Sequence, residues 1–376
     1  MKILELTTFS AGGCGVWRRV QQEAQLLAGR GHTVHVFSTN RIKGESGTAL
    51  LEEKDGKVQI QRFPAWKLGG ESYMYWNCLS EICALKPDVI IAHSYRHRQM
   101  SLALRAQKKL GCKVFLVTHA PFGREASRGM FGNCAVSLYD SWIGPGKLKR
   151  FDGICTITHW EEPYLEKLGV PKEKLTHLPN GIDTAFFSKT KTGSGKDALL
   201  FLGRIAPIKQ LETVLEALAS LPASKRIPCT IVGPGEPAYT ADLRALIVKL
   251  ALSDTVTLTD TSYTAPEART WLDSHRYFIL PSKSEGMPQA LVEAMARGRV
   301  VIASDNPGSA ELIQHEQNGL LYPNGDALAL ASLLQDLPFS SSACEQLGTR
   351  AYRSARAFVW DTIIDRLEKT LQHSLK

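Results

Sequence analysis

The residues with the most capacity for chemistry fall in one short segment, PSKSEGMPQALVEAM at 281–295. It carries two carboxylates, Glu285 and Glu293, with seven residues between them. An apolar strand ends before it, and Pro288 suits the first position of a helix, where no amide hydrogen is needed. Amides at that opening, from Gln289 and its neighbours Met287 and Ala290, can hold phosphate oxygens, because a first helical turn has no internal partners for them. Glu293 also reads as a solvated helix residue, and Glu285 as a helix cap. A second pair, Arg204 and Lys209, follows the run LLFLG at 199–203. Either cation alone is ordinary surface charge. Two on one strand-to-helix loop can grip a diphosphate and stabilise it as it leaves. His119 ends the run VFLVT at 114–118, and His93 ends VIIA at 89–92. A strand-end histidine is either a structural donor or a group at a reacting centre.

Two glycine-rich stretches are weaker signals. Gly12-Gly13-Cys14-Gly15 follows the first strand, but its spacing is not G-x-G-x-x-G. The second strand ends Ser38-Thr39-Asn40-Arg41 without the acid a dinucleotide ribose needs. A nicotinamide site is therefore excluded, leaving a tight turn or a close backbone approach to a ligand. Gly193-Ser194-Gly195-Lys196 lacks the Walker spacing, has Asp197 where Ser or Thr belongs, and precedes a strand instead of following one.

These residues need elements to hold them. Apolar runs at 2–9, 33–39, 58–63, 88–93, 114–119 and 153–158 alternate with helix-length segments at 16–30 and 99–110. The alternation predicts βαβ units and a parallel sheet covered on both faces. Ser188–Lys196 is polar and rich in Gly and Ser, which reads as a linker. After it the pattern restarts at Ala198 and runs through strands at 229–232, 256–259, 277–280 and 300–303. The expected organisation is an N-terminal domain at 1–185, a linker at 186–197 and a C-terminal domain at 198–376. Both domains are α/β and doubly wound, and they face each other across a ligand cleft. The tail from about Ser342 to His373 is helical in period, and its last helix is expected to return to the N-terminal domain.

Composition narrows the class. The chain of 376 residues fits two domains and has a net charge of +8. Residues 1–185 hold 25 Lys and Arg against 17 Asp and Glu, whereas residues 186–376 hold 20 of each. The excess sits in the first half, which points to anionic partners there. Eight scattered cysteines form no CxxC pair, so zinc-ribbon and thioredoxin-like classes lose their signature. Buried reduced thiols are expected, which suits the cytoplasm. Glu5 interrupts what would be a signal-peptide core, and no apolar run reaches membrane-spanning length.

The runs FLGRIAPIKQLETVLEAL and PSKSEGMPQALVEAMARGRVVIAS resemble the retaining nucleotide-sugar glycosyltransferases of family GT4, which have the GT-B fold. VTHAPF, PNGIDTAFF and NGLLYPNGD add to the likeness and stand along the chain in the order of that family. The resemblance implies that Arg204 and Lys209 bind the donor diphosphate. It implies Glu293 on the ribose hydroxyls, Glu285 on the donor sugar, His119 at the reacting centre and Gly12-Gly13 close to the phosphates. It departs from the family at Arg299, where proline is usual and a local effect is expected, and at Met287-Pro288, where Phe-Gly is common. The sequence contains no Asp-x-Asp. Neither a metal nor another cofactor is therefore expected, the cations and helix amides standing in for a metal.

The acceptor is expected on the basic half. Arg96, His97 and Arg98 share one loop, and Pro121–Arg150 reads as long and irregular, with Arg124 among its cations. Trp66, Tyr73, Tyr75 and Trp76 form an aromatic group nearby in sequence. Basic residues interleaved with aromatics suit an anionic membrane face or a phosphorylated acceptor, such as a glycan or polyprenyl-diphosphate-linked sugar, with the protein cytoplasmic or peripheral. Core aromatics beneath a solvated basic surface are the plainer reading. The expected activity is transfer from a nucleotide-sugar, UDP-sugar being favoured. A nucleotide-sugar epimerase or glycan phosphorylase on the same fold is the alternative. A nucleic-acid binder is the distant one, and no RNA- or DNA-binding motif supports it.

Overall fold

The computed structural model describes residues 1–69, 73–120, 122, 129–188, 192–337 and 341–375. The chain forms two compact units, Met1–Gly181 with Asp361–Lys376, and Ile182–Trp360.

The first unit is built on β1 (Lys2–Leu6), β2 (Thr33–Thr39), β3 (Glu52–Asp55), β4 (Val58–Phe63), β5 (Trp66–Gly69), β6 (Tyr73–Tyr75), β7 (Val89–His93), β8 (Lys113–Val117), β9 (Gly153–Thr156) and β10 (Leu175–His177). Eight of these form one sheet in the order β10-β9-β8-β7-β1-β2-β4-β3, while β5 and β6 make a separate hairpin. All pairs in the large sheet are parallel except β3 with β4. The central strands are buried on both faces, as in Ile3, Leu4 and Leu6 of β1 and Val89–Ala92 of β7. That burial explains their continuous apolar runs. Helices α1 (Gly15–Gly29), α2 (Leu79–Leu85) and α3 (Arg98–Leu110) lie between the early strands. The segment expected to be irregular instead contains α4 (Gly129–Trp142) and α5 (Gly144–Leu148). Its helical period is hard to read because α4 buries little, with Leu138 and Trp142 both exposed. A short helix, α6 (Glu162–Lys167), precedes β10.

The second unit has β11 (Lys196–Leu202), β12 (Cys229–Val232), β13 (Val256–Thr259), β14 (His275–Leu280), β15 (Val300–Asp305) and β16 (Leu320–Pro323) in the order β13-β12-β11-β14-β15-β16. Every pair is parallel. Its helices are α7 (Leu211–Ser220), α8 (Pro237–Lys249), α9 (Ala265–Ser274), α10 (Gln289–Ala296), α11 (Pro307–Ala310), α12 (Ala327–Gln335) and α13 (Ser341–Ala355). The helical tail is therefore two helices. The last, α14 (Trp360–Leu375), belongs to the first unit from Asp361 onward. There Arg30 binds Asp365 and Glu368 at 2.6 and 3.1 Å, and His32 meets Glu368 at 2.9 Å. Segment 189–191 of the expected linker lies outside the described residues, and β11 already begins at Lys196. None of the eight cysteines forms a disulfide, and five of them are buried.

Arg299 does more than the local effect expected of it. It is fully buried and donates to the carbonyls of Arg297 (2.8 Å), Ser194 (2.6 Å) and His275 (3.3 Å). Burial lowers its guanidinium to about 10. It thus ties the segment before β11 to the starts of β14 and β15. Truncating it leaves several buried carbonyls without donors, each costing about 1–3 kcal/mol. Arg299→Ala should lower unfolding free energy by roughly 3 kcal/mol or more, read by urea titration. A loss below about 1 kcal/mol would mean the clamp is redundant.

Candidate functional site

In the second unit, β11 is flanked by β12 on one side and β14 on the other, so the chain's connections part there. Open α/β sheets bind ligands beyond the carboxyl ends of the strands at such a point. The loop after β11 carries Arg204, a 3-10 turn at Pro207–Lys209 and left-handed Gln210 (φ 46°) before α7. The loop after β14 carries Glu285 and leads into α10. The two loops meet. Lys209 Nζ donates to Glu285 Oε1 at 2.5 Å, both largely buried, and the Lys283 amide donates to the Ile208 carbonyl at 2.9 Å. Glu285 is therefore a partner for Lys209 and not a helix cap.

Arg204 instead pairs with Glu236 Oε1 at 2.9 Å on the surface. An exposed pair contributes little stability, so its guanidinium is released at small cost. Pro288 sits one position earlier than expected. Its extended ψ of 105° makes it the cap residue, and α10 starts at Gln289. Leu291, Val292 and Met295 are buried as the period predicts, with Ala294 beside them. Glu293 is half-buried on the same helix, so it is not the solvated residue of the plainer reading.

Sequence reasoning missed what holds Glu285 from behind. Asn306 Oδ1 accepts from the amides of Gly308 and Ser309 at 3.1 Å each, and Asn306 Nδ2 donates to the Ser282 carbonyl at 3.0 Å. A Cβ at Gly308 would lie 2.5 Å from the Glu285 carbonyl oxygen and 2.6 Å from that of Gly286. Only glycine lets α11 press against the Glu285 backbone. The Asn-Pro-Gly triplet was the available signal.

In the first unit, β1 lies between β7 and β2, again where the connections part. Gly12 takes φ 82°, and a Cβ there would meet the Lys43 carbonyl oxygen at 2.5 Å. Gly13 is exposed and faces open space. Next to this loop runs a buried polar chain. His93 Nε2 is 2.6 Å from Glu5 Oε2, and His93 Nδ1 is 3.0 Å from His119 Nε2. Burial raises the Glu5 carboxyl to about 8 and that of Glu23 to about 7, lowers His93 to about 4, and holds His119 well below its usual value. With Glu5 protonated, its hydroxyl donates to His93 Nε2. His93 Nδ1–H then donates to His119 Nε2, and His119 keeps its own proton on Nδ1. Buried Glu5, Glu23 and His93 lie close enough to hold a cation. Arg19 supplies the positive charge there, with Nε 3.2 Å from Glu23 Oε2. Glu5, Glu23 and Arg19 were not foreseen as partners of the two histidines.

The basic loop after β7 splits. Arg96 (φ 69°) turns onto Asp140, with Nε 2.8 Å from Oδ1 and the neighbouring nitrogen 2.5 Å from Oδ2, so an acceptor does not meet it as a free cation. Arg98 lies over the Tyr75 ring at 4.5 Å, and His97 stacks on Tyr73 at 5.4 Å. Arg124 lies outside the described residues. Trp76 is fully buried, whereas Trp66, Tyr73 and Tyr75 are exposed.

Two family models match the chain. Residues 13–186 match "Glycosyltransferase Family 4" and residues 196–337 match "Glycosyl transferases group 1". The chain belongs to glycosyltransferase family 4. It is 34% identical over 258 residues to the amylovoran biosynthesis glycosyltransferase AmsK of Erwinia amylovora, covering 66% of this chain and 60% of AmsK. It is 30% identical over 171 residues to a D-inositol 3-phosphate glycosyltransferase of Jonesia denitrificans, covering 44% of this chain and 40% of that one. The matches thus span about half the length of these relatives. Among solved structures, Anabaena HepE in complex with UDP and glucose superposes with a TM-score of 0.74 at 17% identity, covering 99% of this chain and 100% of HepE. That likeness shows the GT-B fold.

In this family-4 chain the β8 end is strained. His119 (φ 61°) and Ala120 (φ 50°) are consecutive left-handed residues. Glu161 holds them: its buried carboxylate accepts from Thr118 Oγ1, from Thr158 Oγ1 at 3.1 Å and from the Ile157 amide at 3.2 Å, and it bonds the Ala120 backbone. Burial raises Glu161 to about 7. The folded carboxyl therefore keeps its proton where the unfolded one, near 4.5, has lost it. Stability from this group is full below pH 4.5 and falls by roughly 3 kcal/mol as pH rises to about 7. Glu161→Gln removes that slope. The melting temperature of the variant relative to wild type should rise by several degrees between pH 5 and pH 8. A constant difference across that range would show that Glu161 is ionised throughout.

Proposed function

We propose that the chain is a retaining glycosyltransferase that moves a sugar from a nucleotide-sugar, UDP-sugar by preference, to a hydroxyl of a glycan or lipid-linked acceptor, without a divalent metal. The observation that carries this reading is the Lys209–Glu285 pair at the carboxyl ends of β11 and β14, beside the start of α10. HepE, of the same fold, holds UDP and glucose. Breaking a sugar–phosphate bond leaves an oxocarbenium-like sugar and a diphosphate anion. Lys209 and Arg204 supply fixed positive charge for that anion, and the α10 opening at Met287, Gln289 and Ala290 adds the field of a helix N-terminus. Lys209 has three donors, so it can serve the diphosphate and still hold Glu285 for the sugar hydroxyls. Glu293 serves the ribose hydroxyls. In the first unit, His119 and the Gly12-Gly13 loop serve the reacting sugar and the phosphates. The donor's own phosphate oxygen takes the acceptor proton, so no protein base is required.

Thermal-shift screening against UDP-, GDP- and ADP-sugars tests the donor. A UDP-sugar at 100 times its Kd should stabilise by roughly 2.7 kcal/mol. Lys209→Ala and Glu293→Ala should abolish that response while leaving the unliganded melting curve cooperative. Transfer with release of UDP should persist in EDTA. Activity lost in EDTA and restored by Mg²⁺ or Mn²⁺ overturns the metal-independent part.

The reading extends to an anionic membrane surface for the basic first half. No helix among the described residues is long and apolar enough to cross a membrane. Contact would be peripheral, through exposed groups such as Trp66 and Trp142. Anionic vesicles should sediment the protein at low ionic strength and release it in about 0.5 M salt. Absence of sedimentation at low salt removes the membrane from the proposal.

A further inference from the structure

The first unit holds a cavity of about 210 Å³ between the β5–β6 hairpin, the start of α3 and α5. It is lined by Leu68, Tyr73, Tyr75, His97, Arg98 and Lys147, among others. Arg98 donates to the Trp76 carbonyl at 3.2 Å and Lys147 to Ser101 Oγ at 3.0 Å. Among the described residues neither cation has a carboxylate partner. The acid of this region, Asp140, is taken by Arg96 and Tyr95. Lys147 is half-buried, and burial together with Arg98 and Arg105 pushes its ammonium below the usual lysine value. Two like charges are thus held together with no carboxylate between them among the described residues. α3 begins at the same place. His97 and Arg98 are its cap and first residue, and no side chain caps it. Helix dipole and cations point the same way, toward an anion. On the hairpin side Leu68, in the wall, is 72% accessible, and Trp66, packed on the Tyr75 ring just outside the lining, is 64% accessible.

We propose that this cavity is the subsite for a phosphate or diphosphate group on the acceptor, with the group attached to it lying along the β5–β6 hairpin. The inference rests on the glycosyltransferase reading, in which the first unit takes the acceptor. It narrows that acceptor to a phosphorylated one. Arg98 and Lys147 each provide charge-assisted hydrogen bonds to the phosphate oxygens, and Tyr73 and Tyr75 flank the attached group. Arg96 is a positioning residue, since its bonds to Asp140 fix the loop that presents His97 and Arg98.

Direct binding to the full-length protein tests this without donor or turnover. Farnesyl diphosphate, inorganic diphosphate and farnesol are titrated by calorimetry into wild type, Arg98→Gln, Lys147→Gln and Trp66→Ala/Leu68→Ala. Both charge variants should weaken farnesyl diphosphate at least about tenfold. Their UDP-sugar thermal shifts should match wild type, which shows that they are folded. If Trp66→Ala/Leu68→Ala weakens farnesyl diphosphate but not inorganic diphosphate, the phosphate is that of a lipid. If it weakens neither, the phosphate is that of a soluble ester. Both results support the subsite. Equal binding of both diphosphates by wild type and the charge variants overturns it, as does farnesol binding as tightly as farnesyl diphosphate. Because the UDP-sugar shift is scored separately, loss of the donor reading and loss of this subsite are told apart.

Discussion

A parallel strand covered on both faces has room for polar groups only at its ends, and β1 places Glu5 in its interior. A buried carboxyl must be bonded or neutralised, and that requirement organises the first unit. The register sets Glu5 opposite Ile91 of β7, so His93, two residues on, lies on the same face as Ile91 and reaches it. Arg19 and Glu23 stand four apart on α1, one turn of a single face, and pack over the same spot. Arg19 then donates to the carbonyls of Leu178 and Pro179 and to Asn180 Oδ1 at 2.9–3.0 Å. One buried carboxyl therefore fixes the register of α1 on the sheet and the stretch after β10. It also fixes the orientation of the histidine at the end of β8.

The second unit solves the same problem differently. Its central strands keep charge at their amino ends, with Lys196 and Asp197 in β11 and Arg276 in β14, and the rest of each is apolar. The polar groups that matter sit on loops, held by one largely buried ion pair, Lys209–Glu285, and by backbone bonds between the loops. Such a pair gains little net stability once desolvation is counted. Its consequence is positional: a cation and a carboxylate stay at one strand-end point, each prevented from turning to solvent. The buried Asn306 and Gly308 behind Glu285 reinforce the same constraint from the backbone side.

This contrast explains what the sequence discloses. Continuous apolar runs marked the central strands of both sheets, because burial on both faces leaves no other composition. The strand-to-helix loops followed, and with them Arg204, Lys209, Glu285, His93 and His119. Short elements at the margins, β3, β5, β6 and β10, bury too little to leave a periodic trace. Helix α4 was unreadable for a similar reason, as Leu138 and Trp142 on it are exposed. Partnerships were the least legible. Nothing local announces that Glu5 meets His93, 88 positions away, or that Arg299 finds the Ser194 carbonyl 105 positions back. Those pairs exist only once a strand order is chosen.

The backbone at the ends of β7 and β8 shows what these partnerships hold in place. Ser94, Arg96, His119 and Ala120 all adopt positive φ without being glycine. Each such residue costs on the order of 1 kcal/mol or more, so four of them need compensation close by. The compensation includes bonds to two carboxyl groups: buried Glu161 bonds Thr118 and the Ala120 backbone, and half-buried Asp140 accepts from Arg96 and Tyr95. Glycine at these positions would remove the strain and with it the fixed direction of the side chains. Retaining His119 and Arg96 there commits the unit to presenting an imidazole and a cation in set orientations. Backbone strain and side-chain placement at these strand ends are thus one arrangement, held by the same carboxyl groups.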